Sequence, residues 1–196
     1  DESRTYLIDG ALTLRSGQII LGNRFSITQA AIRTEIFNVE SLSHIRFDSM
    51  ILNGLGTDFN NSDSSRAVGI FGDTVGSHFL VKNCEFNNLS YTALRFKSQT
   101  NIRVIDNVIR GIGIAEITPV TDGASYGYLF DTGCDDCLAS GNRVSETAQG
   151  ARVEASSNVR ISNEYIFGIV GQHGIYAGQD LTNFVAANNN IQDTAL

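Results

Sequence analysis

One short phrase recurs along most of the chain and constrains its fold more than any other feature. The phrase opens on a small or polar residue and then alternates apolar residues with others, as in Asn101-Ile-Arg-Val104 and Asn158-Val-Arg-Ile161. Its six copies start at His44, His78, Asn101, Cys137, Asn158 and Asn183. Alternation with a period of two is typical of a β-strand, so each copy predicts one short strand.

Two further elements follow at regular distances. Five residues after each start lies a small polar residue, at Ser49, Asn83, Asp106, Asn142, Asn163 and Asn188. Three residues further on, a second short strand carries Leu52, Phe86, Ile109, Ser145, Ile166 or Ile191. From residue 66 on, a third element reads small, apolar, any, apolar, as in Ala67-Val-Gly-Ile70, Ala93-Leu-Arg-Phe96 and Gly127-Tyr-Leu-Phe130, which aligns Val68 with Leu94 and Tyr128. Three short strands per repeat with no helix between them predict one coil of a parallel β-helix. We therefore expect an all-β fold, a single-stranded parallel β-helix of about seven coils that spans residues 1–196 as one domain.

The column of small polar residues predicts a stabilising ladder. Amide ladders recur in stacked β structures, and asparagine tolerates the left-handed backbone that a tight bend requires. We expect each amide of this column to bond to the backbone of the next coil. Alternation within the third strand points Leu94, Phe96, Tyr128 and Phe130 into the cylinder.

The coil pattern and the asparagine column resemble the pectate-lyase-like superfamily of right-handed parallel β-helices. The opening segment from Tyr6 to Gly22 also looks like an early coil of that superfamily. The resemblance implies a right-handed helix, a polysaccharide as partner, and a location outside the cell, on its surface or on a virion, as in phage tailspikes. The amphipathic capping helix of that superfamily does not precede Tyr6, so we expect a segment of a longer chain or one subunit of an oligomer.

Composition argues against two classes of partner. The chain has a formal net charge of −7 with acidic and basic residues interspersed, whereas nucleic-acid binding requires a basic footprint. No apolar run approaches the ~20 residues of a membrane-spanning helix. Cys134 and Cys137 form a single C-x-x-C without a second metal-binding pair, which favours inert or locally bridged cysteines over a zinc site. Cys84 is expected to pack as a small apolar group.

The spacing of the repeats is uneven. The six starts are 34, 23, 36, 21 and 25 residues apart, so two intervals carry insertions. Both insertions, residues 54–66 and 112–125, fall at the corner before the third strand, whereas the coil between them crosses this corner with a short turn. Long loops on one face of a solenoid usually form its functional face. We expect the two loops to wall a groove, with Asp63 and Arg66 among its substrate-binding residues.

The outward side chains of the third strand would form the floor of that groove. They include Lys97, Asp131 and Glu154, with Arg95 and Arg152 beside them, and Tyr126 and Tyr176 could line its sides. Asp131 and Glu154 would lie one coil apart, about 5 Å, which suits the paired carboxylates of a glycoside hydrolase. In a lyase, calcium would bridge them while Lys97 or an arginine abstracts the sugar proton. Cross-coil ion pairing, Lys97 with Asp131 for example, is the structural alternative.

One further match to known motifs has the wrong spacing. The segments around Asp122, Asp135 and His173 look like short motifs of pectin-cleaving hydrolases, whose aspartates lie on successive coils. Asp122 and Asp135 are too close in sequence to lie one coil apart.

Two functions from different classes follow. The first is an extracellular or virion-borne module that binds, and as a hydrolase or lyase cleaves, a polysaccharide in the groove. The second is a non-catalytic structural shaft or adhesin that forms trimers through its outer faces.

Overall fold

The computed structural model of the chain describes residues 4–22, 26–29, 35–54, 68–113, 125–170 and 173–194. These residues form short strands and turns and contain no helix, so none of them offers a long apolar helix that could cross a membrane. The strands assemble into three parallel sheets, here called A, B and C. Each coil contributes in turn a strand to sheet A, sheet B and sheet C.

Sheet A has eight strands, and each pairs with the strand one coil before and one coil after it. They are β1 (Thr5–Ile8), β4 (Ser26–Gln29), β7 (Ile51–Asn53), β10 (Glu85–Asn87), β13 (Val108–Ile112), β16 (Arg143–Thr147), β19 (Tyr165–Ile169) and β22 (Asn190–Thr194).

Sheet B has seven strands and corresponds to the third element of the sequence repeat. They are β2 (Leu12–Thr13), β5 (Phe37–Asn38), β8 (Val68–Gly72), β11 (Thr92–Lys97), β14 (Tyr126–Asp131), β17 (Gln149–Val153) and β20 (Ile175–Ala177).

Sheet C also has seven strands, and most of them carry the recurring phrase. They are β3 (Ile19–Leu21), β6 (Ser43–Asp48), β9 (Gly76–Lys82), β12 (Gln99–Ile105), β15 (Asp135–Ser140), β18 (Ser157–Ser162) and β21 (Val185–Ala187). Seven coils of three strands, followed by β22, confirm the predicted right-handed parallel β-helix.

The core is a continuous apolar column inside the cylinder. Phe96, Tyr128 and Phe130 of sheet B are fully buried, and across β11 and β14 Phe130 pairs in register with Phe96 while Tyr128 pairs with Leu94. Large side chains from all three sheets meet them, among them Phe86 of sheet A and Phe79 of sheet C. Each fully buried aliphatic or aromatic side chain contributes about 1.5–3 kcal/mol relative to exposure. The predicted inward positions of the third strand are therefore confirmed.

The turn between sheets C and A uses a left-handed residue in the six coils where the whole turn is described. Ser49, Asn83, Asp106, Gly141, Asn163 and Asn188 all have positive φ there, a conformation that Gly, Asn and Asp adopt at low cost. The predicted column thus marks the bend, except that Gly141 and not Asn142 occupies it in the fourth copy. The predicted ladder is confirmed for the side chain of Asn142, whereas in the neighbouring coils the ladder side chain lies one residue after the predicted one.

The interior ladder runs through the position after the bend in four successive coils, at Asn107, Asn142, Glu164 and Asn189. Asn142 is fully buried; its Nδ2 donates to the carbonyl of Val104 (3.0 Å), and its Oδ1 accepts from the backbone N of Asn107 (2.9 Å). Glu164 continues the ladder, because its Oε1 accepts from Asn142 Nδ2 at 2.9 Å and its backbone N donates to Asn189 Oδ1 at 3.0 Å. A carboxyl group thus replaces an amide in the middle of an asparagine ladder.

Two register assignments from the sequence need correction. Cys137 pairs with Ile102, so the fourth copy begins at Asp136, which has the positive φ shared by the other starts. In sheet B, Ile70 and not Val68 pairs with Leu94, a shift of two residues. Because the strand period is two, this second shift preserves which residues point inward but changes their outward neighbours.

All three cysteines are buried and free. Cys84 lies in the core as expected. Cys134 and Cys137 lie at the turn into β15 and act on each other: the pKa of Cys134 is lowered by a hydrogen bond to Cys137, whose own pKa is raised. No group of three or more metal-binding side chains occurs in the described ranges.

Candidate functional site

The outward side chains of sheet B form two parallel columns, which we call the sheet-B face. Strand registers place the first column at Phe71, Arg95, Leu129, Arg152 and Tyr176. Two residues further along each strand, the second column contains Asp73, Lys97, Asp131, Glu154 and Gly178. Successive members of a column are about 4.8 Å apart, the spacing of paired strands. The face is therefore a linear array of charged and aromatic groups along the helix axis.

Asp131 and Glu154 lie on adjacent coils, as the sequence predicted. Phe130 pairs with Val153, and the Glu154 backbone N donates to the Phe130 carbonyl at 2.9 Å. The two carboxylate-bearing residues are therefore neighbours across β14 and β17. Their backbones are therefore about 4.8 Å apart.

Asp131 is held by an arginine from the preceding coil. Arg95 Nη2 donates to Asp131 Oδ2 at 3.0 Å, and the backbone N of Thr132 donates to Asp131 Oδ1 at 2.8 Å. The Arg95 guanidinium also lies 5.6 Å from the centre of the Phe71 ring. A cross-coil ion pair is therefore present, but its cation is Arg95 and not Lys97.

Lys97 pairs in the opposite direction along the column. Its Nζ lies 3.1 Å from Asp73 Oδ1. Sequence reasoning missed Asp73 because it placed β8 two residues out of register, which put Phe71 beside Lys97. The pairing of Ile70 with Leu94 brings Asp73 there instead. The repeat pattern alone did not reveal this register, which follows from the pairing of Gly72 with Phe96 in the structure.

Glu154 is fixed by its own strand neighbour. Arg152 Nε donates to Glu154 Oε1 at 2.5 Å, and a second guanidinium nitrogen also contacts this carboxylate. On the next coil lies Gly178, where any Cβ would collide with the Glu154 carboxylate. The carboxylate therefore lies across a glycine, and the absence of a side chain at residue 178 is what allows this position.

Two tyrosines flank the Arg152 guanidinium. Its carbon lies 5.2 Å from the Tyr126 ring centre and 4.8 Å from that of Tyr176, distances typical of cation–π contacts. Arg152 Nη1 donates to the Tyr126 hydroxyl at 2.5 Å. Tyr126 is only 5% exposed, and burial raises its pKa to about 12. Tyr176 is partly exposed and contacts His173, with ring centres 5.2 Å apart. Tyr176 therefore has a ring that a ligand can reach, whereas Tyr126 is buried and holds Arg152 through its hydroxyl and its ring.

The rest of the predicted groove lies outside the described residues. This applies to the loop walls, residues 54–66 and 112–125 apart from their ends, and to Asp63 and Arg66. Each insertion falls between a sheet-A strand and a sheet-B strand. The first connects β7 to β8, and the second connects β13 to β14. The intervening coil makes the same crossing between Asn87 and Thr92.

The residues on this face do not suit calcium. A calcium ion takes six to eight oxygen ligands, largely carboxylates and carbonyls. Asp131 and Glu154 instead have arginine partners at 3.0 Å and 2.5 Å. The positive charge beside each carboxylate therefore already comes from the protein. The pectin-hydrolase motif match also fails among the described residues. Asp135 lies in sheet C, where its Oδ1 accepts from Ser157 Oγ at 2.6 Å.

Comparison with known proteins supports the fold. No protein-family model matches the chain, and no curated protein sequence matches it either. Among solved structures, the DFA-IIIase of Arthrobacter chlorophenolicus A6 in complex with GF2 superposes with a TM-score of 0.61 at 13% identity, covering 94% of this chain and 54% of that one. A putative glycosyl hydrolase from Parabacteroides merdae ATCC 43184 superposes with a TM-score of 0.60 at 12% identity, covering 96% and 79%.

These similarities define the class of fold. At 12–13% identity they show a shared parallel β-helix, and fold alone does not determine function. The chain spans about half the length of the DFA-IIIase that it matches. The resemblance inferred from the coil pattern is thus confirmed for the fold, a right-handed parallel β-helix shared with proteins whose names refer to carbohydrate chemistry.

Proposed function

We propose that this chain is a β-helix module that binds a polysaccharide along the sheet-B face. The observation that carries the proposal is the array itself: on consecutive coils, guanidinium, carboxylate and aromatic groups project from one flat sheet at a regular spacing. Arg95, Asp131, Arg152 and Glu154 are partly buried and fixed by mutual contacts. Such preorganised polar groups beside an aromatic ring favour binding because little side-chain entropy remains to be lost.

The neighbours in fold support a saccharide as the ligand. One of them was solved in complex with GF2, and another is described as a putative glycosyl hydrolase. A module of this kind would act where polysaccharides are exposed, outside the cell, on its surface or on a virion.

Asp131 and Glu154 are the candidates for catalysis, with glycoside hydrolysis as the favoured chemistry. Their positions on adjacent coils suit a carboxylate pair, and Arg95 and Arg152 would orient them. Lys97 is the candidate base for a lyase, but in the structure it is paired with Asp73.

A glycan panel tests this proposal. The protein is mixed with capsular and cell-wall polysaccharides, and binding is followed by retardation in affinity gels while cleavage is followed by reducing-end release. We expect binding by at least one polymer and its loss in Arg152→Ala, which removes the central guanidinium. Absence of binding to every polymer would overturn the proposal. Reducing-end release that survives in both Asp131→Asn and Glu154→Gln would remove these residues as catalysts.

A non-catalytic oligomeric shaft remains the second candidate, and one observation favours it. On the outer face of sheet A, Val108 and Tyr165 are 37% and 36% exposed, with Arg143 in register between them. Exposed apolar side chains on a regular outer face are suited to contact between shafts. Sedimentation of a trimer that Tyr165→Ser converts to a monomer would support the shaft, whereas a monomeric wild-type protein would exclude it.

A further inference from the structure

The cations of the sheet-B face are all matched by acids among its described residues. Lys97 pairs with Asp73, Arg95 with Asp131, and Arg152 with Glu154. Three positive and three negative side chains therefore leave the face with no formal net charge. Each pair lies side by side with the next along the helix axis.

The adjoining segments do not supply an excess of positive charge. Residues 55–67 contain two aspartates and one arginine, and residues 114–124 contain one glutamate and one aspartate. The whole chain has a formal net charge of −7. A polyuronate carries a carboxylate on every sugar, so binding it along this face would require cations that are free to accept those carboxylates. The resident acids already occupy them.

Uncharged sugars fit the same groups better. A hydroxyl both donates and accepts, and each ion pair presents guanidinium or ammonium donors beside carboxylate acceptors. The partly exposed ring of Tyr176 adds an apolar surface beside Arg152, and Phe71 does so beside Arg95 at the other end. Aromatic faces of this kind can contact the C–H surface of a sugar ring.

We infer that the sheet-B face is selective for an uncharged polysaccharide and rejects polyuronates, and that Asp131 and Glu154 produce this selectivity by neutralising Arg95 and Arg152. The inference rests on the proposed function, because it concerns the ligand of the same face. It gives the two carboxylates a role as specificity determinants whether or not cleavage occurs.

A charge-release experiment tests the inference. Affinity gels contain either uncharged polymers (dextran, inulin, galactomannan, xyloglucan) or polyuronates (polygalacturonate, alginate). The wild-type protein is expected to be retarded by an uncharged polymer and not by the polyuronates. The double variant Asp131→Asn/Glu154→Gln frees both arginines at nearly constant shape, so it should bind polygalacturonate at least about tenfold more tightly than the wild-type protein does, with an affinity that falls as salt rises.

A matched control separates the face from overall charge. Glu85→Gln/Asp136→Asn makes the same change in net charge and also frees two arginines, Arg110 and Arg103, but on sheets A and C. This control is expected to leave polyuronate binding unchanged. Far-UV circular dichroism and the thermal midpoint of each variant verify folding.

The outcomes are distinct. Wild-type binding to a polyuronate but to no uncharged polymer would overturn the inference and leave the proposed function standing. An Asp131→Asn/Glu154→Gln variant that gains no more polyuronate affinity than the control would overturn the charge argument. Failure of the wild-type protein to bind any polymer of either kind would overturn the proposed function and this inference with it.

Discussion

Glu164 lies in the interior ladder and gives the fold a defined dependence on pH. It is 1% exposed, and burial raises its pKa from 4.5 to about 7. Its Oε1 accepts from Asn142, but among the described residues its Oε2 and the hydroxyl of buried Tyr128 have no hydrogen bond of normal geometry. The carboxyl group is therefore costly to ionise in the folded state.

The sign of the effect follows from proton binding. Between pH 4.5 and about 7 the unfolded chain releases the Glu164 proton while the folded chain retains it. Stability must therefore fall as pH rises through this window, and it is constant on either side of it as far as this group is concerned. A difference of roughly 2.5 pKa units corresponds to about 3 kcal/mol in the free energy of unfolding.

Glu164→Gln removes this dependence. A glutamine keeps an oxygen to accept from Asn142 and places an amide donor towards Tyr128. We expect the free energy of unfolding of the variant, minus that of the wild-type protein, to increase by about 3 kcal/mol between pH 4 and pH 8. Comparing the two proteins at each pH cancels the titration of all other groups.

Urea denaturation followed by far-UV circular dichroism at pH 4, 5.5 and 8 measures this difference. Glu85→Gln makes the same chemical change on the outer surface and serves as the control. If the difference for Glu164→Gln stays constant to within about 1 kcal/mol across this range, the assignment of Glu164 as a protonated ladder residue is wrong.

Three further changes test other parts of the structure. Asn142→Ala removes side-chain bonds to two neighbouring coils and leaves buried partners unpaired, so it should destabilise the fold by about 3 kcal/mol or more in urea titrations; an unchanged midpoint would refute the ladder. Gly178→Ala should displace the Glu154 carboxylate and weaken glycan binding while the thermal midpoint remains near that of the wild-type protein. Unaltered binding would show that glycan binding does not depend on the position of this carboxylate. The Asp48 carboxylate accepts from Arg46, which lowers its pKa from 3.8 to about 2, so its contribution to stability is present above pH 3.8 and is lost as pH falls through about 2. In Asp48→Asn the free energy of unfolding should fall less steeply with pH in this range, and the same pH dependence in the variant and the wild-type protein would contradict this.

The strands and the core were predictable because they depend on alternation. Leu94, Phe96, Tyr128 and Phe130 are buried as expected, since the strand period fixes which side chains point inward. The adjacency of Asp131 and Glu154 followed from the same periodicity, because Asp131 ends β14 and Glu154 directly follows β17 at the equivalent outward position.

The errors arose where register depended on a single residue. The pattern placed the fourth start at Cys137, but the pairing of Cys137 with Ile102 and the positive φ of Asp136 place it one residue earlier. Glu164 was missed as a ladder residue because the bend position before it, Asn163, carries the more typical amide. The arginine partners of Asp131 and Glu154 depend on side-chain rotamers, which a repeat pattern does not specify.

The crossing from sheet A to sheet B has a consequence for engineering. One coil makes it with a few residues after Asn87, and its neighbours use a dozen or more, yet the strand registers on both sides of the crossing are continuous through all three coils. The number of residues at this corner therefore does not affect how the strands on either side of it pair. Foreign recognition segments could be grafted there in tandem, one per turn, and each would emerge beside the same column of anchoring side chains.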